Sequence, residues 1–142
     1  MVESTLVLRK QKDQQQVIAV GRRKTSTARV RILSPGTGKI AVNKKVFNDY
    51  FARETHRIIV KQVLKLADIA KKVDVDINVK GGGMSGQAEA SRHGLARATV
   101  KLNEGSKAQI KKAGLLTRDA REKERKKFGR KKARKRFQFS KR

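Results

Sequence analysis

The C-terminal end of the chain concentrates side chains that can hold phosphate groups. From Arg125 to Arg142, eleven of eighteen residues are lysine or arginine and none is acidic. Three phenylalanines, Phe128, Phe137 and Phe139, are spaced among these cations. Because cations neutralise phosphates and aromatic rings stack on unpaired bases, the combination predicts contact with nucleic acid. A nonspecific charged tail or a localisation-like signal is the alternative interpretation.

A glycine-rich segment from Gly81 to Gly86 lies between a predicted strand and a predicted helix. It literally matches the G-x-G-x-x-G pattern of dinucleotide-binding enzymes. That fold also needs repeated parallel βα units and an acidic residue after the next strand, whereas a helix and a basic tail follow here. Free amides at a helix start would serve an RNA phosphate equally well. A tight turn with positive φ at one or two glycines is the structural alternative.

Three successive cations, Arg22, Arg23 and Lys24, follow Gly21. The segment lacks the glycine spacing of a nucleoside triphosphatase loop, including a glycine directly before the lysine, so that activity is excluded. Cations at the tip of a hairpin predict a finger that contacts phosphates. A solvated turn agrees with the sequence equally well.

The remaining groups that could bind a metal or perform catalysis are few. The chain has no cysteine, which excludes disulfides, thiolate zinc sites and cysteine nucleophiles. His56 and His93 have no partner at metal-ligand spacing, so we expect packed or surface histidines and no bound metal. Asp74 and Asp76 alternate with apolar residues on one strand, which favours solvated or ion-paired aspartates over a catalytic carboxylate pair.

The overall charge restricts the partners that the chain can have. Its 142 residues include 38 lysines and arginines and 12 aspartates and glutamates, giving a formal net charge of +26 at pH 7. Such an excess requires a polyanion, and nucleic acid is the commonest one. The sequence has no run of about 18 apolar residues, so no membrane contact is expected. The first sixteen residues match neither a secretory nor a transit signal, so we expect a cytoplasmic protein.

The charge is distributed over three segments of different character. Residues 1–16 form a flexible polar leader of net charge +1, residues 17–116 carry +14 and the folding signals, and residues 117–142 carry +11. The stretch from Arg125 to Arg142 has too little apolar surface to fold alone, so we expect it to be disordered until an anionic partner holds it. Opposite charges at spacing four favour a short helix over residues 118–127.

Alternation of apolar and polar residues predicts four strands in the middle segment. Residues 17–20 and 28–33 form a hairpin with a polar linker at 22–27, and a third strand surrounds residues 40–42. The clearest strand covers residues 73–79, where every second residue is valine or isoleucine. One face of this strand is therefore buried and the other is polar.

Helical spacing of apolar residues predicts helices over residues 59–70, 86–102 and 107–113. Phe47 and Phe51 are four residues apart, as on one helix face. Strands and helices in this mixed order predict an α+β domain with a small mixed sheet and packed helices.

Several of these segments together match one known family. The motifs, in order, are Gly21-Arg22-Arg23-Lys24 with Ala28-Arg29-Val30, Asp49-Tyr50-Phe51, Val79-Lys80-Gly81-Gly82-Gly83 with Ser85-Gly86-Gln87, Ser91-Arg92-His93-Gly94, Thr117-Arg118-Asp119-Ala120-Arg121, Glu124-Arg125-Lys126-Lys127, Lys132-Ala133-Arg134 and Gln138-Phe139-Ser140-Lys141-Arg142. Over residues 18–142 the chain resembles the bacterial-type small-subunit ribosomal protein nine family. The ending is the most specific part of the match.

The resemblance implies a fold like the second domain of small-subunit ribosomal protein five, with a left-handed βαβ crossover and a long extended basic tail. It implies a structural role in the head of the small ribosomal subunit, with no enzymatic activity and no cofactor. The implied partners are the 3′ major domain of the small-subunit rRNA, neighbouring head proteins, and transfer RNA in the peptidyl site.

Two sets of candidate contact residues follow. Those expected to bind rRNA are Arg22, Arg23, Lys24, Arg29, Lys80, Gly81, Gly82, Gly83, Gly86, Gln87, Arg92, His93, Arg118, Arg121, Arg125, Lys126, Lys127, Arg130, Lys131, Lys132, Arg134, Lys135 and Arg136. Those that the resemblance places against transfer RNA are Ser140, Lys141 and Arg142.

Overall fold

The computed structural model describes residues 15–141, which form a mixed five-stranded sheet with helices packed on one of its faces. In chain order the elements are β1 (Gln15–Arg23), β2 (Ser26–Ser34), β3 (Ile40–Val42), β4 (Lys45–Val46), α1 (Phe47–Tyr50), α2 (Glu54–Leu66), β5 (Asp74–Lys80), α3 (Met84–Leu102), a 3-10 turn (Glu104–Ser106) and α4 (Lys107–Lys112). The predicted α+β class with a small mixed sheet is confirmed.

The strand order in the sheet is β1-β2-β5-β3-β4. β2 pairs antiparallel with β1 and β5, whereas β3 runs parallel to β5. The predicted hairpin is present, but its strands are longer than expected and only Lys24 and Thr25 separate them. Gln15 and Gln16, which were predicted to belong to the leader, begin β1. The rest of that leader lies outside the described residues.

The core lies between one face of the sheet and the two longer helices. Alternate residues of β2 and β5 are buried, as the sequence pattern predicts for a half-buried sheet. α3 crosses β1 at two glycines, Gly21 and Gly94, which bring the two backbones into contact. A Cβ atom on Gly21 would lie 2.0 Å from the carbonyl oxygen of Ala90 and 2.2 Å from the amide nitrogen of Gly94. This crossing therefore has no room for a methyl group.

The helix predictions hold with shifts at their ends. α2 begins at Glu54 and ends at Leu66, so the last four residues of the predicted range 59–70 lie beyond it, and its buried residues are His56, Val60, Val63 and Leu64. α3 begins two residues earlier than predicted. The last helix, α4, ends in a Schellman motif in which Gly114 has a φ of +71° and Leu115 donates its amide to the carbonyl of Ile110.

Asp74 stabilises the turn between β2 and β3. Its Oδ1 accepts hydrogen bonds from the amides of Thr37 (2.8 Å) and Lys39 (2.9 Å) and from the Thr37 hydroxyl (3.1 Å). Burial by itself raises the pKa of this carboxyl, but the hydrogen bonds from Lys39 and Thr37 outweigh it and leave the pKa of Asp74 below its ordinary value. Asp74 is therefore a structural group, and it forms no ion pair with a residue between positions 15 and 141.

We expect Asp74→Asn to lower the free energy of unfolding at pH 7 by about 1–2 kcal/mol, because hydrogen bonds to a charged acceptor are lost. Because the pKa of Asp74 is lower in the folded protein than in the unfolded chain, its carboxylate stabilises the fold at pH values above the ordinary carboxyl pKa. This contribution disappears as the pH falls through the pKa of the folded protein. Urea unfolding at pH 7 and at acidic pH measures the difference between wild type and variant, which should shrink on acidification. Asp76→Asn, two positions along the strand, is the matched control. A difference independent of pH would contradict this role.

Candidate nucleic-acid interface

The sheet face opposite the helices carries cations at one end. Because Ala28 and Val30 point into the core, Arg29 and Arg31 of β2 point outward. Thr27 lies between Arg22 on β1 and Lys80 on β5 in the strand register. The four cations on this face, Arg22, Arg29, Arg31 and Lys80, are all exposed. Arg31 was not among the predicted contact residues, although its alternation with Arg29 was visible in the sequence.

The glycine segment forms a tight turn against the β1–β2 hairpin. Gly81 and Gly82 have φ angles of +77° and +62°. The Ser26 hydroxyl donates to the carbonyl oxygen of Gly81 at 3.0 Å, and a Cβ atom on Gly82 would lie 2.1 Å from that hydroxyl oxygen. Gln87 also donates to the Gly81 carbonyl, at 3.1 Å. The turn itself therefore requires glycine at positions 81 and 82, and the side-chain amide of Gln87 is already hydrogen-bonded within the protein.

Gly83 and Gly86 differ in how much space surrounds them. Gly86 is buried, and a Cβ atom there would lie 2.8 Å from the Ser26 hydroxyl oxygen. A Cβ atom on Gly83 would meet no atom of the described residues within 4 Å, and its φ is −103°. Gly83 also precedes the first turn of α3, whose start has no side-chain cap and no acidic residue. Of the four predicted glycines, Gly83 best fits close approach by a ligand.

A cleft of about 240 Å³ lies where the tail leaves the domain. Five arginines and two carboxylates line it, together with a histidine. These charged side chains are Arg22, Arg23, Arg92, Arg118 and Arg121, with Glu89 and Asp119, and the histidine is His93. The excess of cations makes the cleft suitable for an anion such as a phosphate group. The structure thus joins residues from β1, α3 and the tail that are up to a hundred positions apart.

Arg23 is held by protein partners inside this cleft. Its Nε contacts Glu89 at 2.5 Å, its Nη2 contacts Asp119 at 3.1 Å, and its Nη1 donates to the backbone carbonyl of Arg121 at 2.8 Å. Only 14% of the side chain is exposed. Arg23 was predicted to belong to a phosphate-contacting finger, whereas its donors are directed at α3 and the tail.

His93 belongs to a row on α3 that covers the outer edge of β1. Its Nδ1 accepts the amide of Arg22 at 3.3 Å, and one and two turns later Arg97 and Lys101 donate to strand carbonyls at 2.5 Å and 3.2 Å. Burial, helped by the charges of Arg97, Arg118 and Arg92, lowers the pKa of His93. The bond from Arg22 requires an unprotonated Nδ1, so Nε2 is the ring nitrogen of His93 that can donate a hydrogen bond in the predicted RNA contact.

The tail is irregular rather than helical over residues 118–127, so the helix expected there is wrong. Asp119 pairs with Arg121 and Arg23 rather than with a residue four positions on. Glu124 pairs with Lys127, and with Arg134 at 2.9 Å. The amide of Lys131 donates to the carbonyl of Lys135 at 2.8 Å. The tail therefore folds back on itself between residues 124 and 135 and is not extended throughout.

The side chains that could stack on bases are open to solvent. Phe128, Phe137 and Phe139 have relative exposures of 103%, 63% and 87%. Most tail cations are exposed as well, and so are Ser140 and Lys141. Arg142, the last predicted transfer RNA contact, lies outside the described residues.

Neither a metal cluster nor a membrane span is found between residues 15 and 141. That part of the chain has no group of three or more His, Asp or Glu side chains placed to hold a metal ion. None of its helices is long and apolar enough to cross a membrane.

Comparison with known proteins supports the interpretation of this surface. The model of one family, described as ribosomal protein S9/S16, matches residues 21–142. The chain belongs to this family. A relative from Anaeromyxobacter sp. (strain K), named small ribosomal subunit protein uS9, is 56% identical over 125 residues, covering 88% of this chain and 95% of the relative. A protein of the same name from Sorangium cellulosum is 56% identical over 124 residues, covering 87% and 95%.

Membership of the S9/S16 family settles the main alternatives. Proteins of this family are structural, non-enzymatic components of the ribosome, so the dinucleotide-enzyme interpretation of Gly81–Gly86 is wrong. The resemblance read from the sequence motifs is confirmed. The family match begins at Gly21 and includes the glycine turn, the cleft at the start of the tail (the tail root, residues 117–121) and the whole tail.

Proposed function

We propose that the protein is a structural constituent of the small ribosomal subunit in the cytoplasm and binds the small-subunit rRNA there. The observation that carries this proposal is the basic surface shared by the open sheet face, the cleft at the tail root and the tail. Family membership and the names of the relatives support the ribosomal location.

The rRNA site that we propose is the 3′ major domain, in the head of the subunit, beside neighbouring head proteins. The domain of residues 17–116 supplies a rigid surface, and residues 117–142 thread between RNA segments. The mixed sheet with helices on one face is compatible with a fold like the second domain of small-subunit ribosomal protein five, including a left-handed βαβ crossover.

Binding follows from counterion release at RNA phosphates. On the domain, Arg22, Arg29 and Lys80 present their cations from three neighbouring strands, and Arg92 adds another in the cleft. Each phosphate that a cation neutralises frees condensed counterions, which favours the complex most at low salt. The open backbone at Gly83 allows one phosphate to approach the free amides of the first turn of α3.

The tail adds cations and exposed rings to this surface. Its lysines and arginines neutralise phosphates, while Phe128, Phe137 and Phe139 are available to stack on unpaired bases. The fold-back at residues 124–135 is held by exposed ion pairs, which contribute little stability in water. RNA phosphates can therefore replace Glu124 as the partner of these cations, and the tail can open. Fully extended, its 26 residues reach at most about 90 Å.

The end of the tail is proposed to contact the anticodon stem of transfer RNA in the peptidyl site. Ser140 supplies a hydroxyl, and Lys141 and Arg142 supply two cations for backbone phosphates. This contact is electrostatic and has no chemical step.

High-salt cosedimentation tests the ribosomal location. We expect the endogenous protein to stay with small subunits in sucrose gradients at salt concentrations that remove loosely bound basic proteins, since folded contacts and a threaded tail hold it. Its appearance at the top of the gradient would indicate a free-standing nucleic-acid chaperone instead.

A chain that stops after Phe139 should still assemble into small subunits but hold peptidyl-site transfer RNA about tenfold more weakly, since charge-assisted contacts to its phosphates are lost. Filter binding of transfer RNA to purified subunits measures the effect. The full chain with Lys71→Ala and Lys72→Ala removes two exposed cations before β5 and should leave the affinity unchanged. Equal affinity of truncated and full-length subunits would refute the terminal contact.

A further inference from the structure

The Arg23 guanidinium joins three parts of the chain that are far apart in sequence. Its Nε pairs with Glu89 of α3, its Nη2 pairs with Asp119 at 3.1 Å, and its Nη1 donates to the carbonyl of Arg121 at 2.8 Å. Three separate nitrogen atoms are used, and the side chain is only 14% exposed. Two carboxylates contact this guanidinium, although cations outnumber acids 38 to 12 in the chain. Arg23 is thus shielded from phosphates.

The segment that Arg23 holds is also ordered from within. The Asp119 carboxylate accepts the backbone amide of Arg121 at 3.0 Å and pairs with the Arg121 guanidinium at 2.8 Å. Just before this segment, Leu115 is buried with 5% exposure in the core, directly after the turn at Gly114. The start of the tail is therefore attached to the domain at two places. The first is the buried side chain of Leu115, and the second is the contact of Arg23 with Asp119 and with the carbonyl of Arg121.

We propose that Arg23 is a positioning residue that fastens the tail root, residues 117–121, to the end of β1 and fixes the direction in which the tail leaves the domain before RNA is bound. A root that is already ordered loses less conformational entropy when the tail engages RNA, so affinity rises without an additional RNA contact. The effect on RNA binding rests on the proposed function, whereas the fastening is a property of the free protein.

Backbone order parameters from NMR relaxation of the free full-length protein test the fastening directly. We expect values near 0.85 for residues 117–121 in the wild type and below about 0.6 in Arg23→Gln. Asp119→Asn should give the same loss without altering the sheet, and the double variant should lose no more than either single one. Arg29→Gln, an exposed cation on the neighbouring strand, should leave the root ordered. A root that stays rigid in Arg23→Gln and in Asp119→Asn overturns the proposal.

The salt dependence of binding to an rRNA fragment separates a positioning residue from a phosphate contact. Arg23→Gln should weaken binding about three- to tenfold at every salt concentration and leave the slope of log K against log salt unchanged. Arg29→Gln should reduce the magnitude of that slope by about one. An equal reduction for Arg23→Gln would make Arg23 a phosphate contact and reject the positioning role. If both variants bind the RNA as the wild type does, the proposed function is contradicted. The order parameters then still show whether Arg23 holds residues 117–121 in the free protein.

Discussion

Raising the salt concentration from about 50 to about 200 mM should weaken binding of the protein to a small-subunit rRNA fragment by roughly a thousandfold or more. Under the proposed function, the domain and tail together neutralise roughly six to ten phosphates, and each of them releases counterions. Fluorescence anisotropy with a labelled fragment across a salt series gives the slope directly. A flat response would contradict binding through the basic surface.

Neutralising part of the tail should lower this slope in proportion to the charges removed. Replacing Lys131, Lys132, Lys135 and Arg136 with glutamine should reduce its magnitude by about three. The matched control replaces four exposed lysines away from the basic surface, namely Lys71, Lys72, Lys107 and Lys111. Both variants have the same net charge, so equal slopes would mean that overall charge, and not the tail, determines binding.

Gly21→Ala should destabilise the domain by about 2–3 kcal/mol, as overpacking does at a site that cannot relax. The added methyl would lie 2.0 Å from the carbonyl oxygen of Ala90, and both groups belong to backbones in regular structure. Urea unfolding followed by circular dichroism measures the free energy of unfolding.

Gly83→Ser is the matched control for this substitution. Its Cβ meets no atom of the described residues within 4 Å, and serine is favoured before the first turn of a helix, so the change should stay within about 0.5 kcal/mol. A neutral Gly21→Ala variant would show that the crossing of β1 and α3 is looser than its geometry indicates. Under the proposed function, Gly83→Ser weakens RNA binding without unfolding the protein.

Local sequence patterns predicted the strands and helices because a buried face requires apolar residues at every second position of a strand and at every third or fourth position of a helix. The strand of Val75, Ile77 and Val79 is buried on one face as expected, and α3 covers nearly the predicted range. The strand order β1-β2-β5-β3-β4 depends on contacts between distant segments, which periodicity does not encode. The end of α2 was missed because apolar spacing continues beyond Leu66 into the following turn.

Part of the candidate site could likewise be predicted from the sequence, and part of it required the fold. The density of lysine and arginine in the tail is a property of composition, so the sequence alone could identify it. The partners of Arg23 lie 66 and 96 positions away at Glu89 and Asp119, and no local spacing could have shown that this cation is already neutralised. The row of His93, Arg97 and Lys101 is visible at helical spacing, but its contact with the edge of β1 requires the fold.

Chemical footprinting of the small-subunit rRNA tests the proposed binding most directly. Subunits reconstituted with and without the protein would be probed at every nucleotide, and the two patterns compared. We expect protection concentrated in the 3′ major domain, with a second group of protected nucleotides that disappears when the tail cations are replaced with glutamine. Protection confined to other domains, or none at all, would contradict binding of the domain and its tail in the subunit head.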